Sequence, residues 1–182
     1  MNAVLLVIDM QVDFFRHERL SKRQPELVLQ VNSLVAAMRS AGVPVIWVRQ
    51  EFLPDMSDAS LEVKRTGTRV VIAGTPGASL LPGLTVDPDD QLIIKKRYSA
   101  FFGTNLDSLL QGMNCTTIIV AGVNTHACIR TTVVDAYQRD YDVILASDCI
   151  DSLDPVHHDV SWRYMDGKLG RGMSNDEIVA FL

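Results

Sequence analysis

Asp9, Lys95 and Cys128 are the residues whose types and positions could do chemistry together. An acid, an amine and a thiol brought into one crevice make a nucleophile with the groups that activate it. Asp9 stops the apolar run Ala3–Ile8 (AVLLVI), Lys95 ends a strand that starts at Gln91, and Cys128 opens the helix after the strand Thr116–Ala121. In open parallel sheets, ligands bind outside the carboxyl ends of the strands, so residues remote in sequence can converge there. Each of the three also has an inert reading. Asp9 would be a turn residue, Lys95 a cation reaching to solvent, and Cys128 a small buried apolar side chain.

Position separates Cys128 from Cys115 and Cys149, which read as buried apolar residues. A helix N-terminus supplies partial positive charge, and that lowers a thiol pKa. The segment Gly122–Cys128 (GVNTHAC) turns from strand into helix and leaves backbone N–H groups unpaired. Such donors can hold an oxyanion. In an inert protein, Gly122 and Asn124 would simply make the turn. No G-x-G-x-x-G follows the first strand and no Walker A motif is present, which disfavours nucleotide binding. His157 and His158 would point about 100° apart on a helix and make a poor chelating pair; a solvated face is the reading. No metal and no cofactor is expected.

The elements that must position these residues follow from apolar periodicity. Leu27, Val31, Leu34, Val35 and Met38 recur at helical spacing between Pro25 and Ala41, with Gly42 to end the helix. Val43–Val48 and Val143–Ala146 read as further strands, and Arg171–Met173 as a short one. Thr104 with Asp107 resembles a capping box opening a helix through Gly112, and Ser174 with Glu177 another for the final helix. Helices are also expected over Thr125–Arg139 and Val156–Met165. The alternation predicts a three-layer α/β/α sandwich around a mostly parallel sheet of about six strands. The stretch from Arg49 to Asp90 has no clear period, and loops so long usually serve a function. Arg49, Glu51 and Arg69 offer charges there to a substrate carboxylate or amine, with none singled out.

The 182 residues, 47% hydrophobic, suit one domain over residues 1–182. A net charge of −5 argues against nucleic acid or an anionic membrane surface as partner. Three cysteines are too few and odd in number for a disulfide scaffold, so a reducing, cytoplasmic setting is expected. No segment is long and apolar enough to span a bilayer.

Four stretches, in order, carry a resemblance. They are LLVIDMQVDF at Leu5–Phe14, GTPGASL at Gly74–Leu80, KKRYSAFFGTNLDSLL at Lys95–Leu110 and AGVNTHACIRTTVVDAY at Ala121–Tyr137. Through them the sequence resembles the isochorismatase-like superfamily of cysteine hydrolases. The resemblance implies a Rossmann-like fold and a catalytic triad of Asp9, Lys95 and Cys128. The family's lysine stands four residues before the serine of its Y-S-x-F motif, here Ser99, which selects Lys95; strand alternation turns Lys96 to the other face. It further implies a cis peptide between Val123 and Asn124, aiming the Asn124 and Cys128 amides at one oxyanion site. Gln11, Phe14, Tyr98 and Phe102 become candidate pocket walls, with core packing as the alternative.

Nicotinamidases of the superfamily carry a D-x-H-x-x-H metal set after the second strand, where this chain reads WVRQEFLPDMSD without histidine. Metal binding and nicotinamide hydrolysis are therefore disfavoured. Isochorismatases proper cleave a vinyl ether and lack the cysteine, so Cys128 favours C–N hydrolysis of a small amide, ureido or carbamoyl compound through a thioester. Two alternatives remain open: vinyl-ether hydrolysis with Asp9 as acid and no covalent step, and a non-catalytic thiol-containing domain that binds a ligand or senses redox state. The expected partners are a small-molecule substrate and further copies of the chain, as a dimer or tetramer.

Overall fold

The computed structural model describes residues 2–182. Every residue of β1 (Ala3–Ile8) is buried, which requires cover on both faces of the sheet. Leu5 and Val7 join the core formed with Leu27, Val31 and Met38 of α1 (Glu18–Ser40). Leu6 and Ile8 point the other way, toward Leu106 and Leu110 of α3 (Leu106–Gly112) and Val133 of α4 (Arg130–Tyr137). The period-two alternation of one strand thus feeds two separate cores. The sheet has six strands in the order β3-β2-β1-β4-β5-β6 and every pairing is parallel. The other strands are β2 (Val45–Gln50), β3 (Gln91–Lys95), β4 (Thr117–Val123), β5 (Asp142–Asp151) and β6 (Arg171–Met173). The order reverses between β1 and β4, so a crevice opens at their carboxyl ends.

Several boundaries differ from the sequence reading. Helix α1 starts at Glu18 rather than Pro25 and carries the proline inside it. The added turns bury Leu20 and send Arg19 and Arg23 to the carboxylate of Asp151, contacts that offset the proline's missing N–H. The expected capping box at Thr104 does not form. Its hydroxyl donates to the Ala100 carbonyl and accepts from the Leu106 N–H instead. The helix expected over Thr125–Arg139 begins as a π-helical turn, Thr125–Ile129, in which the Ile129 N–H reaches back to the Asn124 carbonyl. Helix α5 (Pro155–Met165) forms one residue ahead of its expected start, and the capping box of Ser174 and Glu177 does form, opening α6 (Asn175–Phe181).

The aperiodic stretch holds a short helix, α2 (Leu61–Thr66), and a 3-10 turn at Pro76–Ala78. Phe52, Ala59, Val71 and Ala78 pack into a small core of their own beneath it. Asp13 ties it down: its Oδ2 accepts from the Val71 N–H at 2.7 Å. The same carboxylate occupies the space a side chain at Gly77 would need, 2.3 Å from an ideal Cβ. Among the described residues no helix is long and apolar enough to cross a membrane.

Candidate active site

The three residues picked out at strand ends meet. Asp9 follows β1 directly, held by its own N–H to the Val48 carbonyl, with φ of 54° in the left-handed region. A non-glycine residue is seldom found there, and such outliers concentrate at functional sites. Lys95 arrives from the end of β3 and Cys128 from the π-helical turn after β4. Lys95 Nζ lies 2.8 Å from Asp9 Oδ2, 3.3 Å from Cys128 Sγ and 3.0 Å from the Arg97 carbonyl. The ammonium thus makes two hydrogen bonds, to Cys128 and to the Arg97 carbonyl, and an ion pair with Asp9. Relative exposures of 1%, 0% and 4% for Asp9, Lys95 and Cys128 put the cluster out of bulk solvent. Lys96 points elsewhere, to the Glu51 carbonyl and the Asp58 carboxylate.

Burial decides the electrostatics. It raises the Asp9 carboxyl above the usual range, with Lys95 and the thiol offsetting part of the effect. For Lys95 burial works against the charge, but Asp9 and Cys128 outweigh it and hold the ammonium. The Cys128 thiol is pushed well above a free cysteine, first by burial and then by Asp9, against a smaller opposing pull from Lys95. This overturns the expectation of a thiol lowered by its helix terminus. Desolvation of the anion and the neighbouring carboxylate exceed what a short π-helical turn supplies. Among the described residues neither oxygen of Asp9 receives a hydrogen bond of good geometry, so the carboxylate remains available as a proton acceptor beside the sulfur.

The peptide Val123–Asn124 is cis. Among the described residues the Asn124 N–H donates to no acceptor, while the Asn124 side chain accepts from the Leu153 N–H at 2.8 Å. Above Cys128 lies a cavity of about 340 Å³. Phe14 and Tyr98 line it, as the sequence suggested. Gln11 does not: fully buried, it clamps the Gln50 N–H and the carbonyls of Gln50 and Ala78. Phe102 is 65% exposed and borders a neighbouring depression instead. Both corrections have one cause. Residue type marks an aromatic or amide near the site but not which way the loop turns it.

Other lining residues had no signal in the sequence. Phe52, Ser60, Glu62 and Val63 come from the aperiodic stretch and α2, and Leu153 from beyond β5. His126 also lines the cavity, two residues before the thiol, with Nδ1 against Ser152 Oγ at 2.6 Å. Its place within GVNTHAC was the available clue. His158 is not simply solvated, since its Nδ1 meets Thr125 Oγ1 at 2.7 Å. Arg49 and Glu51 pair with each other, away from this cavity. Among the described residues no group of three or more His, Cys, Asp or Glu is placed to hold a metal ion.

Residues 3–177 match the model of the isochorismatase domain family. The chain belongs to the isochorismatase family. A protein of Arabidopsis thaliana named as a probable inactive nicotinamidase is 40% identical over 167 residues, 86% of this chain and 84% of that protein. The ureidoacrylate amidohydrolase RutB of Methylorubrum extorquens is 30% identical over 145 residues, 71% of this chain but only 58% of the relative. The crystal structure of an isochorismatase family protein from Desulfovibrio vulgaris superposes with a TM-score of 0.87 at 30% identity, covering 98% of each chain. This isochorismatase-family chain is accordingly a hydrolase, with amidohydrolases among its relatives.

Proposed function

We propose that the protein is a cysteine amidohydrolase that cleaves the C–N bond of a small amide, ureido or carbamoyl compound. The observation that supports this most is the contact of Lys95 Nζ with both Asp9 and Cys128, the last of which lines the cavity. Asp9 takes the Sγ proton as sulfur attacks the substrate carbonyl. The Asn124 and Cys128 N–H groups hold the oxyanion, and Lys95 keeps the anionic pair of groups compensated. The C–N bond then breaks, and ammonia or an amine leaves with the proton from Asp9. Water attacks the thioester with Asp9 as base, releasing the acid and restoring the thiol.

The raised pKa values fit this sequence of steps. A thiol that stays protonated at rest is ionised only when substrate arrives, and a carboxyl raised above its ordinary value is a better proton acceptor than an exposed aspartate.

The test is a screen of amides and carbamoyl compounds for ammonia release, followed by mass spectrometry for an acyl adduct on Cys128. Cys128→Ala is expected to abolish turnover. Undiminished turnover in that variant would refute the thioester route. A second reading draws on the raised Asp9 carboxyl, which suits a general acid for vinyl-ether cleavage with Cys128 as bystander. Activity on isochorismate that survives Cys128→Ala would favour it.

A further inference from the structure

The cavity over Cys128 has an uneven distribution of charge. Among the described residues Glu62 is the lining side chain with a formal charge, and it stands at the rim, on the first turn of α2. Burial and His157 beside it lower His126, which disfavours its cationic form. The Tyr98 hydroxyl donates to the Glu62 carboxylate. Burial and that carboxylate raise Tyr98 to about 12, so the phenol stays a donor and aims the carboxylate without neutralising it.

The cations nearby are engaged elsewhere. Arg49 pairs with Glu51, Lys96 with Asp58, and Arg69 donates to the Pro54 carbonyl. Arg97 donates to the carbonyls of Asp58 and Lys96 and lines the adjoining depression, which Glu62 and Tyr98 border as well, rather than the cavity over the thiol. Lys95 lies under Cys128 and is compensated by Asp9. A substrate carboxylate in this cavity would shed water and find no arginine or lysine on the wall to replace it, at a cost. An ammonium or guanidinium would leave water for Glu62. Phe14, Phe52 and Val63, which line the same cavity as the thiol and Glu62, suit a short apolar spacer.

We infer that Glu62 is a specificity-determining residue, and that the substrate bears a cationic group remote from the scissile carbonyl rather than a carboxylate. The inference rests on the amidohydrolase reading for the word substrate, but charge selection by the cavity can be measured without turnover. Cys128 is alkylated with iodoacetate, iodoacetamide and 2-bromoethylamine, each rate being normalised to that of free cysteine and read by peptide mass spectrometry so that Cys115 and Cys149 do not contribute. The cationic reagent is expected to react fastest and the anionic one slowest. Glu62→Gln should shrink the ratio of cationic to anionic rate by about threefold, the scale of one exposed charge pair. Glu62→Lys should invert the order, and high salt should compress it.

Hydrolysis is then compared across N-(2-aminoethyl)urea, propylurea and N-carbamoylglycine. An unchanged alkylation ratio in both Glu62 variants, or preference for iodoacetate in the wild type, would overturn the inference whatever the enzyme hydrolyses. Ordered alkylation with no amide or urea turned over would leave charge selection standing and sink the amidohydrolase reading alone.

Discussion

Gly122 links the packing of the sheet to the geometry of the site. It lies in β4 where the register with β5 shifts, with φ of 118°, one residue before the cis peptide. An ideal Cβ there would sit 1.9 Å from the Ile8 carbonyl oxygen, where ordinary contact begins at 3.4 Å. Gly122→Ala therefore forces β1 and β4 apart by about 1.5 Å or rotates the peptide out of its positive φ. Backbone strain of about 1–3 kcal/mol and overpacking of about 1–3 kcal/mol add to a loss of roughly 2–6 kcal/mol. For a chain of this size that lowers Tm by at least about 4 °C. Ile8 precedes Asp9 and Gly122 precedes Asn124, so the displacement falls on the carboxylate and on the turn that carries the thiol. A misplacement of about 1 Å costs on the order of a hundredfold in rate. Thermal unfolding followed by circular dichroism gives the first quantity. Ammonia release, assayed well below the variant's Tm, gives the second. A variant with wild-type Tm and wild-type rate would refute both the strand contact and its link to the site.

Lys95→Met should leave the Asp9 carboxylate buried without a cation and cost about 3–5 kcal/mol, read from urea unfolding at neutral pH. Adding Asp9→Asn should recover much of that loss, and no recovery would show that the buried charge is not its origin. Gln11→Leu removes a clamp of three hydrogen bonds and should cost about 1–3 kcal/mol, again by urea unfolding; a neutral result would return Gln11 to the pocket wall. Asp151 is raised by burial but lowered further by the Ser152 N–H, Arg23 and Arg19, so its folded value lies below 3.8. Its stabilisation is thus present above pH 3.8 and lost as pH falls through the lower folded value, and wild type and Asp151→Asn should converge in acid unfolding curves. His126, lowered by burial and by His157, should titrate below 6.5 by NMR, and a value above that would place a charge in the cavity.

Much was legible because it depends on local pattern. The buried runs of β1 and β4, apolar over Ala3–Ile8 and Ile118–Ala121, announce a sheet covered on both faces. The acid and the thiol that stop or follow such strands stand at their carboxyl ends by the direction of the chain alone. Alternation says that only one of Lys95 and Lys96 can face a given side of the strand, and the resemblance to the family, through the spacing to Ser99, is what selects Lys95.

Direction, burial and partners are different matters. Cys128 sits at a helix start in sequence and in space, yet its thiol is raised, because pKa is set by how much water and which charges surround it. Glu62, Ser60, Phe52 and Leu153 reach the cavity from segments with no period to read. Packing beneath the irregular stretch and the tie from Asp13 to Val71 place most of them. Gln11 and Phe102 have the residue types of pocket walls but are turned inward and outward by their backbone. The amino-acid order thus determines which groups stand at the strand ends, because chain direction and side-chain alternation are local. Only the packed structure decides their charge states and the walls around them, because desolvation and proximity are sums over residues far apart in the chain.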